Sequence, residues 1–236
     1  MSRYKLRANY DIENIDSQKM DGTVIVDVPM LSNGELNYGL SHIKKKLYEE
    51  NVYPSEIGFD IMSLATMVYM ADTRIERVVH GQDSWTREIE LEIPVSNVEI
   101  WDSQIRTVER MLKFLTGDLW KITLSSRAWQ FNNLEEVREK SNKYDEVSLF
   151  SGGMDSLIST INLMENKKNT LLISHAGEGL TKNAQKNIVN KFDLLYPDVL
   201  HTWLDLWMVF PRDYIPAGGN DNNTRSRSFL FMPFLQ

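Results

Sequence analysis

The densest cluster of chemistry-bearing residues is Ser151-Gly152-Gly153-Met154-Asp155-Ser156. Two adjacent glycines let a chain turn tightly and bring backbone N–H groups close to an anion, with no Cβ in the way. Ser151 and Ser156 add hydroxyl donors for the same oxygens. A helix predicted to follow directly contributes free N–H groups and the positive end of its dipole. Asp155 is a carboxylate among anion donors. It makes sense as a helix cap or as an oxygen ligand to a phosphate-bridging Mg2+ ion. All six residues, Met154 included, are therefore candidates for holding a nucleotide phosphate, with Asp155 as candidate metal ligand and catalytic residue. A Gly-Gly pair alone would serve as a plain turn; the full run between a strand and a helix favours the phosphate site. The Walker-type loop needs a longer spacing and a Lys-Ser/Thr pair, and neither it nor the Rossmann glycine pattern is in the sequence.

Further candidates are more scattered. His175 follows a predicted strand, at the end where doubly wound sheets bind ligands. It is a candidate for nucleotide contact or proton transfer, the alternative being a polar loop histidine. Arg225 and Arg227 can meet phosphate or carboxylate bidentately. Spaced by two, they share a face on an extended segment and diverge by about 200° on a helix. In the helical case they are a solvated pair at its start, with Thr224 or Ser226 as cap. Asp205 and Asp213 read as solvated strand-end or loop carboxylates, His80 as structural, and Lys44-Lys45-Lys46 as a solvated helix face. The six tryptophans form no spaced stripe and read as core or interface anchors, not a base-stacking platform.

The scaffold for these residues follows from hydrophobic periodicity. Residues 147–150 are a short apolar run, as in a strand covered on both faces. A helix over 157–165, a strand over 170–174, a helix over 181–195 and a strand over 200–207 follow. That order implies a parallel sheet with right-handed crossovers, so residues 144–236 read as an α/β domain. Residues 1–143 read as a mixed α+β domain with a linker. Strand composition marks 22–28, and a short helix covers 40–49. A second helix over 55–71 buries one face. In residues 86–93, Ile89, Leu91 and Ile93 alternate with Glu88, Glu90 and Glu92, a half-exposed strand ended by Pro94. Asp102 or Ser103 is expected to cap a helix from 105, which Thr116-Gly117 closes. A strand over 119–124 follows, and the polar stretch 125–143, with a helical pattern at 134–140, is the linker.

Composition narrows the function. A chain of 236 residues, 42% hydrophobic and 25% charged, can bury a core. No apolar run approaches the roughly 20 residues of a membrane helix, no secretory signal opens the chain, and a cytoplasmic location fits. Having no cysteine excludes disulfides, cysteine zinc sites and thiol catalysis. A net charge of −7 argues against nucleic acid as partner.

The Ser-Gly-Gly-x-Asp-Ser run between strand and helix resembles the signature of PP-loop (N-type) ATP pyrophosphatases. The resemblance implies binding of ATP with Mg2+, adenylation of a carbonyl or carboxylate oxygen, release of pyrophosphate, and displacement of AMP by a nucleophile. Lacking cysteine, the chain does not fit the sulfur-transferring members, or asparagine synthetases that begin with a cysteine nucleophile. Its acidity disfavours the tRNA-modifying ones. It looks like the group of 7-cyano-7-deazaguanine synthases, which convert a deazaguanine carboxylate to an amide and then a nitrile. Asp83-Ser84-Trp85-Thr86-Arg87 and Thr224-Arg225-Ser226-Arg227-Ser228-Phe229-Leu230-Phe231 are similar to segments of synthase-like proteins from bacterial anti-phage operons of the Qat type. In that resemblance Arg225 and Arg227 lie close to the nucleotide, the substrate is a small carboxylate, and other proteins of a defence operon are partners. The synthase family's cysteine zinc cluster does not carry over. About 90 residues follow the linker, short for a domain. The second domain is thus expected to be incomplete at its C-terminal side, with exposed apolar surface at 229–234. A catalytically silent nucleotide-binding subunit is the alternative function.

Overall fold

The computed structural model describes residues 3–128, 130, 143–175, 179–208, 210–221 and 225–234. The expected helical pattern at 134–140, most of the linker, Trp129 and Thr224 lie outside the described residues.

Alternation builds the first sheet. Arg3, Lys5 and Arg7 interleave with buried Tyr4, Leu6 and Ala8 in β1 (Arg3–Asn9). Next come β2 (Asp16–Met20), β3 (Thr23–Pro29), a small hairpin of β4 (Leu31–Ser32) and β5 (Glu35–Leu36), and helices α1 (Leu40–Glu49), α2 (Glu56–Arg74) and α3 (Arg77–His80). After them run β6 (Glu88–Val95), α4 (Val98–Asp102), α5 (Ile105–Thr116) and β7 (Leu119–Ser126). The sheet order is β2-β3-β1-β6-β7, and every pair is parallel except β2 with β3. This region is therefore built around a mainly parallel sheet, where the sequence suggested a looser α+β mixture. One sheet face is apolar and buried. The other bears cross-strand ion pairs, Arg3 with Glu88 at 2.6 Å, Lys5 with Glu92 at 2.8 Å, and Arg7 with Asp27. Pro94 lies inside β6 rather than ending it: pairing with β1 stops at Glu92, so there is no ladder on that side for proline to break.

The second sheet holds β8 (Glu146–Leu149), β9 (Thr170–His175) and β10 (His201–Leu206), all parallel, in the order β10-β9-β8. Helices α6 (Met154–Glu165) and α7 (Gly179–Leu195) connect them. Leu172 joins Phe150, Met164, Val189 and Phe192 in a core on the helical side. Leu171 and Ile173, on the opposite face of β9, join the large core containing α2 and the first sheet. The apolar core is thus continuous between residues 3–126 and 146–206. β9 is covered on both faces, as expected of a parallel strand. β8 is not. It is the end strand, and Val147 and Leu149 keep 40% and 39% of their surface exposed.

α2 starts on a Ser55 side chain that accepts the Gly58 N–H at 3.1 Å. The one-faced burial read from its periodicity is an underestimate: from Gly58 to Thr73 every residue but Ile61 is buried. Core lies on both sides of it. A 3₁₀ segment, Arg225–Phe234, packs along it with Phe229 and Leu230 each 3% exposed, so the open apolar surface expected over 229–234 is closed at these two residues, while Met232 stays exposed. Asp102 and Ser103 do not cap α5. They end and follow the separate turn α4, which Asn97 caps, and Gln104 precedes α5 without a side-chain bond to the helix N–H groups. Gly117 does close α5, in the left-handed conformation at φ 78°.

Charge is buried at the end of α2. The Arg87 guanidinium donates to both Asp118 oxygens (3.2 and 2.6 Å), to Asp72 Oδ1 (2.6 Å) and to the carbonyls of Asp72 and Ile75. Arg77 also bonds Asp118, at 2.7 and 3.0 Å. The Ser226 N–H donates to Asp72 Oδ2 at 3.0 Å, which ties the 3₁₀ segment to the same cluster. Ser226 thus lies inside the segment and is not its cap. Burial opposes the charge on Arg87, but the two carboxylates hold its pKa above the ordinary value. Arg87→Met would leave these carboxylates undercompensated and is expected to lose about 3–5 kcal/mol of stability, measured by urea unfolding.

Candidate functional site

The strand–turn–helix expected around the glycines is present at the carboxyl end of the second sheet. The Phe150 N–H donates to the Ile173 carbonyl at 2.7 Å, the last link before the chain leaves the sheet. Gly152 then adopts φ +82°, a conformation that favours glycine, and Gly153 is extended at the N-cap of α6. The two serine hydroxyls are 3.1 Å apart. Ser156 Oγ donates to the Gly153 carbonyl (2.9 Å), and the Gly153 N–H reaches Ser151 Oγ (3.3 Å). Hydroxyls and N–H groups therefore converge on one turn, and their local bonds are of the kind an incoming oxyanion can exchange for its own.

Asp155 is in the first turn of α6, exposed, and makes no cap hydrogen bond, so the capping reading is wrong. Its carboxylate meets no partner among the described residues, where no group of three acidic or histidine side chains gathers either. One carboxylate beside phosphate oxygens is a donor set that suits Mg2+, which keeps much of its water. Met154 is 72% exposed and offers the turn only its backbone.

The remaining candidates separate. His175 is the last residue of β9 and not a loop residue; it is 1% exposed. Its ring meets Tyr69 of α2 edge-on at 5.3 Å, and neither ring nitrogen has a hydrogen-bond partner among the described residues. Burial, with the Arg227 charge nearby, pushes its pKa down to about 4. Arg227 donates to the His175 carbonyl at 2.7 Å and so reaches the carboxyl edge of the sheet. Arg225 does not. Its guanidinium lies 4.4 Å from the Trp85 ring centroid and donates to the Thr116 carbonyl. The segment is 3₁₀-helical, so residues two apart diverge, and the shared-face reading of the two arginines fails.

Asp205, read as solvated, is buried at the end of β10 between Lys46 and Lys182 (2.5 Å to the latter). Burial pushes its pKa up, but the two ammonium groups outweigh that and hold it below the ordinary value. Lys46 is accordingly an ion-pair partner and not part of a solvated run. Asp213 is exposed. His80 is buried against Tyr4, 3.3 Å from its hydroxyl, which fits a structural role. Trp101 and Trp120 are buried anchors, whereas Trp85 is 55% exposed.

One residue escaped the sequence reading. Gln185 of α7 is fully buried, and its amide donates to the Ser151 carbonyl at 3.0 Å. The available signal was a polar residue in register with Val189 and Phe192 on the apolar face of that helix.

Set against known proteins, the chain matches no family model, no curated protein and no solved structure. Among the described residues no helix is long and apolar enough to cross a membrane.

His175 makes stability depend on pH. Its proton affinity is lower folded than unfolded, so the unfolded chain gains the proton first as pH falls. Stability is lost between about pH 6.5 and 4, by about 3 kcal/mol in total. In urea titrations across that range, His175→Phe is expected to remove this component, so the stability difference between variant and parent should shift steadily toward the variant as pH falls.

Proposed function

We propose that the turn at residues 151–156 binds the phosphates of ATP and that the chain is an ATP pyrophosphatase of the ligase type. The substrate class inferred from the sequence resemblance is a small deazaguanine-like carboxylate, and the setting is bacterial anti-phage defence. What carries the reading is the convergence of two glycines, two serine hydroxyls and a helix N-terminus at the carboxyl edge of a parallel sheet.

In the proposed reaction a carboxylate oxygen attacks the α-phosphorus. The bond to the bridging oxygen of the β-phosphate breaks, and pyrophosphate leaves. Ser151, Ser156 and the N–H groups of Gly152 and Gly153 take up charge on that leaving group. Asp155 would hold Mg2+, which supplies further neutralisation when bound. Ammonia or another amine then attacks the acyl carbon and AMP leaves. Arg227 is placed to meet an anionic group at the sheet edge if it exchanges its bond to the His175 carbonyl.

A second reading has specific support. His175 is enclosed and Arg225 is turned onto Trp85, so two groups assigned to the nucleotide are engaged elsewhere. This favours a subunit that binds nucleotide without turnover and serves a partner protein.

Calorimetry with Mg-ATP separates these ideas from a plain turn. The parent chain is expected to bind, and Gly153→Val to abolish binding, because a Cβ at 153 already stands 3.4 Å from Ser151 Oγ and the added methyls crowd the turn. Failure of the parent to bind would reject the phosphate site. Given binding, AMP formation with a carboxylate present identifies the enzyme, and Asp155→Asn should slow that formation at least tenfold, more than it weakens binding. Bound but intact ATP identifies the silent subunit.

A further inference from the structure

Gln185 carries an oddity that packing does not explain. It is fully buried on the apolar side of α7, yet only half of its amide is satisfied. Nε2 donates to the Ser151 carbonyl at 3.0 Å, while Oε1 has no partner among the described residues. An unmet buried acceptor is destabilising, and a methionine of similar shape would avoid it. The amide therefore has a use beyond filling space.

That use follows from peptide geometry. The Ser151 carbonyl and the Gly152 N–H belong to one peptide unit, and the structure has no cis peptide. In a trans unit the two groups point in opposite directions. Drawing the carbonyl inward to Gln185 turns the Gly152 N–H outward, away from α7. That N–H has no acceptor among the described residues. The Gln185 Cγ also stands 3.0 Å from where a Cβ on residue 152 would be, so the side chain braces the turn at its left-handed residue.

We infer that Gln185 is a positioning residue that aims the Gly152 N–H at a bound phosphate. The inference rests on the phosphate-site reading above. It adds a donor whose orientation is set by a side chain more than thirty positions away in the chain.

The test uses inorganic pyrophosphate and the full chain, labelled with nitrogen-15. Saturating pyrophosphate should move the Gly152 amide proton resonance downfield. In Gln185→Met that shift should vanish and affinity should fall by about tenfold, the worth of one such hydrogen bond, with the urea midpoint unchanged. Parent binding with a silent Gly152 amide would overturn the inference and leave the site standing, without recourse to any variant. Equal affinity in Gln185→Met would do the same. A fall in affinity matched by a fall in the urea midpoint would reduce Gln185 to a structural residue. If the parent binds neither pyrophosphate nor Mg-ATP, the site reading fails and this inference with it.

Discussion

The charge cluster of Arg87, Arg77, Asp72 and Asp118 is the constraint on which the rest of the structure depends. It gathers the end of α2, the short α3, the start of β6 and the turn before β7 at one buried point. Through the Ser226 N–H and Asp221 it also holds the segment that follows the second sheet. Buried charge of this kind contributes little net stability compared with apolar packing of equal volume. Its effect is on uniqueness. With two arginines and two fully buried carboxylates, other pairings of these elements leave a charge without its counterion.

Around that point α2 acts as a shared wall. One side packs on the first sheet, and another on the inner face of β9, where Tyr69 meets His175, and on the 3₁₀ segment. The sheet that carries the glycine turn is thus set against the first 126 residues through this helix. Arg227 reaches the sheet edge by the same route, since its neighbour Ser226 is pinned to Asp72 of α2.

How much of this was legible in the sequence differed by element. Helices with strong periodicity, such as α1 and α5, were readable in their extent because amphipathicity acts within the segment itself; the Gly117 stop of α5 was readable too, but its N-terminal cap was not. The turn into α6 was readable for a similar reason: its two glycines set the backbone within a few residues. β1 was not legible although Tyr4, Leu6 and Ala8 alternate with Arg3, Lys5 and Arg7, because the alternation is short and lies beside the chain terminus, where cations dominate the local composition. Pairing was the harder matter. Nothing local says that β6 lies between β1 and β7, or that Pro94 falls beyond the reach of β1. The fates of Asp205, Arg225 and Gln185 depend on what tertiary packing brings opposite them, and a linear pattern does not contain that information.

Among the described residues, the strand that delivers the glycine turn is bonded on one side. β8 has four residues, pairs with β9, and leaves Val147 and Leu149 partly in water. Local opening free energies are lowest in segments with few neighbours, so the turn is attached to one of the more weakly held parts of the sheet. Past β8 the chain is tied back by the Phe150 N–H bond to the Ile173 carbonyl and by the Gln185 amide bond to the Ser151 carbonyl. A ligand that engages the turn would therefore order the strand as it binds. Occupancy of the site and protection of the β8 amides from solvent exchange become two readings of a single equilibrium.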